Sequence, residues 1–324
     1  MPDLYLVEAV NDALHVELER DPSVLVLGED VGRLGGVFRA TAGLQERFGV
    51  DRCVDTPLAE AGILGTAVGL CMAGWRPVCE MQYDAFSYPA LDQLINHVGR
   101  YRWRTRGKMS FPLTIRMPYG GGVRAPELHA DSPETYYVHT PGVKVAIPST
   151  PADAKGLLAA AIRDPDPVVV FEPKLHYRTT KEEVPDGEYV VPLGQARVAR
   201  QGTDVTLVGY GAMVHVALRV AEALEGEASA EVLDLRTLKP LDEDALVASV
   251  RKTGRAVVVQ EAPRVVGFAA EVAAVLAEKA IFDLHGPVIR VTGYDVPYPY
   301  WQLEDAYVPS VARVVDAVRR VLAA

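Results

Sequence analysis

The stretch VDTPLAEAGILGTAVGLCMAGWRPVCE, residues 54–80, predicts a helix followed by a buried strand. Thr56 is placed to cap the helix, and Pro57 suits its first position, because a proline there loses no helical hydrogen bond. Gly74 marks the end of the helix. The short apolar run that follows, RPVCEMQ at 76–82, is typical of a strand buried on both faces. A helix that leads directly into a buried strand favours a parallel sheet.

Glu60 is the only charged side chain between Asp55 and Arg76. A carboxylate in the first turn of a helix gains about 0.3–1 kcal/mol from the helix dipole, and a residue chosen only for that gain should face water. Small residues follow Glu60 and predict a face that packs closely against another helix or backbone; they are Ala61, Gly62, Gly65, Gly69 and Ala73. A carboxylate buried there needs a partner that supplies a proton or a hydrogen-bond donor.

Strands alternate with helices on both sides of this stretch. Strands are predicted at SVLVLGED (23–30), FPLTIRMP (111–118), KVAIPS (144–149) and PVVVFEP (167–173), and helices at 89–103 and 151–164. Such alternation predicts an α/β fold with a parallel sheet covered on both faces.

A charged, turn-rich stretch at 174–200 marks a domain junction. Four further strands and four helices follow it, which predicts a second, smaller α/β unit. We therefore place an N-terminal domain at residues 1–187 and a C-terminal domain at residues 188–324.

Composition limits the classes of function. The chain of 324 residues carries 43 acidic and 33 basic side chains, and this net charge of −10 disfavours nucleic acid as the main partner. A basic run, GRYRWRTRGK at 99–108, is best explained as a solvated or subunit-facing surface. The three cysteines show no CxxC spacing, which disfavours both a disulfide framework and a zinc site.

Signals for export or membrane insertion are absent from the sequence pattern. The first residues, MPDLYLVEAVNDAL, are acidic and amphipathic rather than typical of a signal peptide. The longest uncharged stretch, 61–75, is shorter than the roughly 20 residues of a membrane span. We expect a cytoplasmic protein with no membrane association.

Several common catalytic motifs are missing. The first strand is not followed by GxGxxG, which disfavours NAD binding, and the chain has no P-loop, HExxH or GxSxG.

Long stretches of the chain resemble, in order, the β subunit of the E1 component of 2-oxo acid dehydrogenase complexes. The stretches are LGEDVG (27–32), residues 55–86, TIRMPYGGGVRAPELHADSPE (114–134), PGVKVAIPSTPADAKGLL (141–158), VGYGAMVH (208–215), DLRTLKPLD (234–242) and TGRAVVVQEAP (253–263). The resemblance implies a parallel-sheet domain that binds the pyrimidine of thiamine diphosphate, followed by a domain like the C-terminal domain of transketolase.

The resemblance also assigns roles to residues of the cofactor site. Glu60 matches the glutamate that accepts a hydrogen bond from N1′ of the aminopyrimidine, which is the partner that its burial demands. Leu58 and Ala59 match residues that lie against the pyrimidine. Gln82 matches a polar cofactor contact, Phe86 matches the aromatic residue that packs on the ring, and Glu29 matches an acid near the same site.

Substrate contacts follow from the same comparison. Tyr83, Phe86, Ser87, Tyr88 and Pro89 would line the substrate side of the site. His129, in the Gly-rich segment GGGVRAPELHADSPE, matches the catalytic histidine that interacts with the substrate carboxylate and with acyl transfer. The six other histidines have no such support.

The chain lacks the motifs that bind the diphosphate half of the cofactor in this family. In such enzymes the diphosphate is bound through Mg²⁺ by GDG and a later Asn-Asn, and this chain has neither motif and only two asparagines. The resemblance implies that an α subunit holds Mg²⁺ and the diphosphate in an α2β2 heterotetramer. A K⁺ site known in part of the family, at positions matching Leu113, Thr114, Ala161, Asp164 and Asp166, is left open.

The expected reaction is decarboxylation of a 2-oxo acid followed by reductive acylation of the lipoyl group on the E2 core. Branched-chain 2-oxo acids are the first choice of substrate, because DAFSYPALDQ (84–93) resembles the branched-chain subunits; pyruvate is the alternative. Other possibilities are a non-catalytic scaffold that docks E2, a transketolase-type enzyme, and an NAD-dependent dehydrogenase.

Overall fold

The computed structural model describes residues 1–299 and 301–324, which form two compact units. The first unit comprises residues 1–119 and 136–193, and the second comprises residues 120–135 and 194–324. The two-domain α/β fold is confirmed, whereas the boundary between residues 187 and 188 stays a prediction. Segment 120–135 is part of the second unit, although the chain on either side of it is part of the first.

The first unit contains the elements of the predicted parallel-sheet domain. In chain order they are β1 (Asp3–Tyr5), α1 (Leu6–Arg20), β2 (Val24–Gly28), α2 (Leu44–Phe48), β3 (Cys53–Asp55), α3 (Glu60–Met72), β4 (Arg76–Glu80), α4 (Leu91–Asn96), α5 (Tyr101–Arg104), β5 (Thr114–Tyr119), α6 (Glu134–Val138), β6 (Lys144–Ala146), α7 (Pro151–Arg163), β7 (Val168–Pro173) and β8 (Lys181–Glu183). The chain returns from the second unit to the first within α6.

A parallel sheet forms the centre of the first unit, with hydrogen-bonded neighbours in the order β6, β7, β5, β4, β2, β3. The strands β2, β5 and β7 are buried throughout, as expected for strands covered on both faces. Helices α1 and α7 pack together over one face through Leu14, Leu18, Leu158 and Ile162. Because the strands are parallel, the segments after β2, β3 and β4 meet at one edge of the sheet, where such folds place their ligands.

The helix after β3 begins later than the sequence predicted. The backbone N–H of Thr56 donates to the carbonyl of Gly28 at 2.9 Å, so Thr56 continues the strand pairing instead of capping a helix. Within the described residues, its hydroxyl makes no hydrogen bond. The first helical bond runs from Ile63 N to the carbonyl of Ala59, and α3 therefore begins at Glu60.

The single helix predicted at 89–103 is wrong. The structure has a 3-10 segment at Ala85–Ala90 that contains Pro89, then α4, a 3-10 turn at Val98–Arg100, and α5. Gly99 explains the second break, because a Cβ there would lie 2.5 Å from the carbonyl oxygen of Pro141. The close approach of these two backbones disrupts the regular helix.

The second unit is the smaller α/β unit that the sequence predicted. Its elements are β9 (Arg197–Arg200), β10 (Val205–Gly209), α8 (Ala212–Ala223), β11 (Ala230–Asp234), β12 (Thr237–Lys239), α9 (Glu243–Thr253), β13 (Ala256–Val259), α10 (Ala269–Lys279), β14 (Ile289–Val291), α11 (Glu304–Tyr307) and α12 (Val311–Leu322). Its sheet has the order β14, β13, β10, β11, β9, and β9 is antiparallel to its neighbour. Apolar side chains of α8 and α12 cover this sheet.

All three cysteines are buried free thiols. Burial raises the pKa of Cys53 and of Cys71 to about 12 and raises the pKa of Cys79 well above its usual range, so these thiols stay protonated and unreactive near neutral pH. Within the described part of the chain, no helix has the length and apolar character to cross a membrane.

Candidate active site

Two carboxyl groups lie at the carboxyl edge of the first unit's sheet. Glu29 follows β2 and Glu60 begins α3, and they are only 7% and 8% exposed. Among the described residues, Glu60 has no hydrogen-bond or ion-pair partner, and Oε1 of Glu29 is buried without a hydrogen bond. Burial raises the pKa of Glu29, and the charges of Glu60 and Asp30 raise it further. These carboxyl groups can therefore accept a donor from outside the chain.

The chain around Glu60 is exposed. Leu58 presents 77% of its surface to solvent, and Pro57 and Ala59 are exposed as well. The small-residue face of α3, predicted from the sequence, is at the surface of the first unit: Ala61, Gly62, Gly69 and Ala73 are exposed and Gly65 is half-buried. A Cβ added at Gly69 would meet no atom within 4 Å. An apolar helix with such a face has room for a partner's backbone.

Polar and aromatic residues follow β4 at the same edge of the sheet. Gln82 is half-buried, and its side chain makes no hydrogen bond with the described residues. Tyr83 and Phe86 are half-buried and pack edge to face, with ring centroids 5.3 Å apart. Phe38 extends this aromatic group by packing 5.7 Å from Tyr83. The predicted cofactor residues after β2, β3 and β4 thus belong to one edge of one sheet.

A buried ion pair holds the segment that carries Phe86. Asp84 and Lys174 are fully buried and lie 2.8 Å apart. Asp84 also accepts a hydrogen bond of 2.7 Å from the backbone N–H of Ala85, which caps the 3-10 segment at Ala85–Ala90. A pair of this kind stabilises one geometry strongly, since loss of either partner leaves a charge buried without compensation.

The remaining predicted substrate residues differ in exposure. Ser87 is 1% exposed, donates to the carbonyl of Asp84 and accepts from the hydroxyl of Tyr137. Tyr88 is half-buried and packs on Tyr136, and Pro89 is exposed. The hydroxyl of Ser87 is engaged inside the first unit, so its predicted contact with substrate stays a prediction.

His129 belongs to the second unit, whereas Glu60 belongs to the first. It is half-buried, and its Nδ1 lies 2.8 Å from the carbonyl oxygen of Glu127. The neighbouring residues at 122–124 and 126–128 are exposed. His129 therefore lies near the tip of a loop whose side chains face solvent.

Carboxylates of the second unit fix the chain that leads to His129. Glu261 accepts a hydrogen bond from Gly121 N, and both oxygens of Glu304 accept from Arg124 N at 3.2 Å. Both glutamates are buried, and Glu134, after the loop, accepts a bond of 2.7 Å from the hydroxyl of Tyr210. A buried carboxylate that accepts a backbone N–H makes a strong bond, and such bonds attach the loop before His129. After His129, the bond between Tyr210 and Glu134 attaches it.

Gly121 is required for this attachment. A Cβ at Gly121 would lie 1.6 Å from the hydroxyl oxygen of Tyr298, which is impossible without a rearrangement. Burial raises the pKa of Tyr298, and the charges of Glu261 and Glu304 raise it further, so its hydroxyl stays protonated. Within the described residues, this hydroxyl makes no hydrogen bond.

Comparisons with known proteins agree over the full length of the chain. A family model described as the pyrimidine binding domain of transketolase matches residues 4–180, and one described as the transketolase C-terminal domain matches residues 194–314. The pyruvate dehydrogenase E1 component subunit beta of Bacillus subtilis (strain 168) is 52% identical over 323 residues, which cover 99% of each chain. The protein of the same name from Staphylococcus epidermidis (strain ATCC 12228 / FDA PCI 1200) is 51% identical with the same coverage. The chain belongs to the family of E1 β subunits of 2-oxo acid dehydrogenases.

A solved structure supports the fold of this E1 β chain. The protein titled "Split gene transketolase, inactive beta4 tetramer" matches it with a TM-score of 0.80 and 26% sequence identity, and the match covers 99% of this chain and 98% of the other. The family and fold expected from the sequence are thereby confirmed. The relatives at about half identity carry the name pyruvate dehydrogenase, and the branched-chain assignment that the sequence analysis placed first is not confirmed.

Sequence reasoning missed a buried charged network in this E1 β chain. Arg116 on β5 donates from Nε and Nη2 to the two oxygens of Glu172 on β7, at 2.7 and 2.6 Å, and from Nη1 to Glu80 on β4. The hydroxyl of Tyr177 donates to Glu172 at 2.5 Å. Burial acts to lower the pKa of Arg116, but the charges of Glu172 and Glu80 outweigh it and hold the pKa well above its usual range.

This network packs against the aromatic residues of the candidate site. Burial raises the pKa of Glu80, and Arg116 opposes that shift. Tyr177 also packs against Phe38, with ring centroids 5.1 Å apart, which links the network to the aromatic group of Tyr83 and Phe86. A signal was present in the sequence, since a charged residue stands inside or at the end of three apolar strands.

The acids at the possible K⁺ site are engaged within the chain. Asp164 forms an ion pair with Lys144 at 2.7 Å, and Asp166 forms one with Arg102 at 2.6 Å. Within residues 1–299 and 301–324, no group of three or more His, Cys, Asp or Glu side chains is placed to hold a metal ion.

Proposed function

We propose that this chain is the β subunit of a thiamine-diphosphate-dependent 2-oxo acid dehydrogenase that acts on pyruvate. The observation that carries the proposal is Glu60, a buried carboxylate with no partner in the described chain. A carboxylate in that state is stabilised by a donor from a ligand, and the ring nitrogen of an aminopyrimidine supplies such a donor. The match of residues 4–180 to a pyrimidine binding domain supports this choice.

The residues around Glu60 fit a flat heterocycle. Leu58 and Ala59 offer exposed apolar surface, Phe86 offers a ring face, and Gln82 offers a half-buried amide without a partner in the described chain. Glu29, whose pKa is raised, holds a proton more readily than an ordinary glutamate and so limits repulsion with Glu60. When bound, thiamine diphosphate supplies the carbanion chemistry, and the chain supplies binding and orientation.

We assign His129, Tyr83, Phe86, Ser87, Tyr88 and Pro89 to the substrate side. His129 would contact the substrate carboxylate and move a proton during acyl transfer. The exposed surroundings of His129 and the fixed ends of its loop support a residue that approaches substrate while its main chain stays in place.

The partners follow from what this chain lacks. We propose an α subunit that holds the diphosphate and Mg²⁺ in an α2β2 heterotetramer, with acyl transfer to the lipoyl group of an E2 core in the cytoplasm. The exposed small-residue face of α3 supports burial against the α subunit. Branched-chain 2-oxo acids remain the second candidate substrates, since one or two methylene groups change discrimination by only about 1–3 kcal/mol.

Replacement of Glu60 by glutamine tests the proposed site. The variant E60Q keeps the size of the side chain but loses the charge, so we expect decarboxylation of pyruvate by the assembled enzyme to fall by about 100-fold or more. The variant E46Q is the matched control, because Glu46 is also a first-turn glutamate but is exposed on α2.

The same pair of variants separates an enzyme from a scaffold. A scaffold subunit that only docks E2 would tolerate E60Q as well as E46Q. Equal activity of the two variants, with thiamine diphosphate bound equally well, would therefore exclude the proposed role of Glu60.

Substrate choice is tested on the wild-type assembly. We expect a higher kcat/KM for pyruvate than for 3-methyl-2-oxobutanoate when decarboxylation is followed with an artificial electron acceptor. The reverse order would restore the branched-chain assignment without affecting the cofactor site.

A further inference from the structure

Four arginines line one groove of the second unit. The groove has a volume of about 550 Å³ and lies between β14 with its following loop, the turn at 263–266, and α12. Its arginines are Arg264, Arg290, Arg313 and Arg320, and its acidic residues are Asp295 and Asp316. The groove therefore carries an excess of two positive charges in a chain whose net charge is −10.

In the described part of the chain, the acidic residues of the groove do not form ion pairs with these arginines. Within the described residues, none of the four forms an ion pair with a carboxylate. Arg319, which precedes Arg320 on α12, is different. It forms a bidentate ion pair with Glu227, at 2.9 and 2.8 Å. Four unpaired guanidinium groups around one concavity repel one another, and an anion would remove that repulsion.

Main-chain carbonyls hold three of the guanidinium groups in place. Arg264 donates to the carbonyl of Arg290 at 3.0 Å, and Arg290 donates back to the carbonyl of Arg264 at 3.4 Å. Arg313 donates to the carbonyls of Thr292 at 2.6 Å and Tyr307 at 3.1 Å, and its guanidinium carbon lies 4.7 Å from the centroid of the Tyr294 ring. Such contacts with neutral carbonyls orient the side chains without neutralising their charge. Because the side chains are already ordered, less conformational entropy is lost when a ligand binds.

Two exposed valines follow Arg264 in the chain. Val265 and Val266 are 69% and 73% exposed, and Val266 has a φ of 59°, which is rare for a β-branched residue. The N–H of Val265 donates to Asp295 at 2.8 Å, which holds this strained turn at the groove.

We propose that this groove binds a small molecule that carries phosphate groups. The planar forks of arginine match phosphate oxygens in pairs, and the volume is within the range of small-molecule sites. Ile289, Val291 and Ala317 provide apolar lining for the rest of the ligand. None of the groove residues is among those assigned above to thiamine diphosphate or to the 2-oxo acid.

Pyrophosphate is the probe for this proposal. Isothermal titration of the full-length chain with sodium pyrophosphate should show one site per chain and an affinity that falls as salt rises. The assembled enzyme, first saturated with thiamine diphosphate and Mg²⁺, should show the same additional site.

Single substitutions locate the site. Arg264 and Arg320 are exposed, so R264Q and R320Q should fold, and each should weaken pyrophosphate binding by about 10-fold. R319Q is the control, because it removes the same charge from the same helix outside the groove, and it should bind as the wild type does. Circular dichroism confirms that each variant is folded.

Three results would overturn the proposal. The first is no pyrophosphate binding by the wild type at millimolar concentration, and the second is an equal loss of affinity in R319Q and in the groove variants. The third is tighter binding of an acidic polyglutamate peptide than of pyrophosphate, because the groove would then serve a protein partner.

Discussion

Glu29 shows how burial at the sheet edge sets the chemistry of single residues. The residue is 7% exposed, its Oε1 makes no hydrogen bond with the described part of the chain, and a second carboxyl group, that of Glu60, acts on it electrostatically. Both burial and like charge favour the protonated form. A residue in this state lowers the stability of the folded chain whenever it is ionised, and a ligand that donates a hydrogen bond to it would offset that cost.

The variant E29Q tests this electrostatic cost. Since the pKa of Glu29 is raised in the folded state, the unfolded chain releases this proton more easily, and ionisation at neutral pH favours unfolding. We therefore expect E29Q to increase the free energy of unfolding at pH 7–8. The gain should shrink as the pH falls through the raised pKa and vanish below the ordinary pKa of glutamate.

Urea denaturation at several pH values measures the effect. An unchanged difference between E29Q and the wild type from pH 8 to pH 4 would show that packing, rather than ionisation, separates the two proteins. The exposed Glu46 on α2 provides the control, since E46Q should show little dependence on pH.

At the scale of elements, the loop at 120–135 is held by side chains far away in sequence. Glu304 accepts the N–H of Arg124 from 180 residues away, and Glu261 accepts the N–H of Gly121 from 140 residues away. The position of His129 therefore depends on α11 and on the turn after β13.

The variant E304L should loosen this loop. It removes the acceptor of Arg124 N, and loss of such a buried bond costs about 1–3 kcal/mol. We expect faster amide hydrogen exchange at residues 122–129 and a kcat about 10-fold lower, because a small displacement of a positioned group has a large effect on rate. Binding of thiamine diphosphate should be unchanged.

Asp305 supplies the matched control for this variant. It pairs with the side chain of Arg124 at 3.0 Å, but both side chains are exposed, so D305N should change stability by less than about 1 kcal/mol. If E304L and D305N had the same kcat as the wild type, the anchoring of the loop would have no part in catalysis.

Local sequence signals explain which elements could be predicted. Apolar runs between glycines and prolines indicate the strands of both sheets, and Glu29 and Glu60 stand next to such runs. The capping signal at Thr56 was misleading, because pairing with Gly28 competes with it and depends on the strand order.

Features that depend on long-range contacts could not be predicted from the sequence. The break at Gly99 depends on the backbone of Pro141, and the partners of Arg116 depend on which strands are neighbours. The match of Glu60 to a pyrimidine contact came from resemblance to a family and not from its spacing in the chain.

At the scale of the whole molecule, the exposed face of α3 bears on assembly. This helix is apolar, yet Ala61, Gly62, Gly69 and Ala73 face solvent in the described chain. Small residues in such a row allow two helices to approach closely, and they gain nothing from solvent exposure. We expect this face to be covered when the α subunit binds.

The variant G69Q should affect the stability of the isolated chain and its assembly with the α subunit in opposite directions. A Cβ at Gly69 meets nothing within 4 Å, and glutamine is a better helix former, so the isolated chain should gain about 0.5–1 kcal/mol. Assembly with the α subunit, measured by analytical ultracentrifugation, should be strongly weakened by the longer side chain.

Ala274 on α10 offers a control for added bulk. It is exposed in the second unit, and A274Q should leave assembly unchanged. Normal heterotetramer formation by G69Q would show that another surface binds the α subunit.

The division of the chain at 119/120 and 135/136 limits how this protein can be dissected. A truncated product that stops at residue 193 would keep Glu60 and His129 but would lack Glu261 and Glu304, so its histidine loop would be untethered. Residues 194–324 expressed alone would leave those two glutamates without the amides they accept. A fragment that ends at residue 193 therefore contains a loop of the second unit without the side chains that hold it, and the remaining fragment lacks that loop. Only the uninterrupted polypeptide contains both Glu60 and a tethered His129.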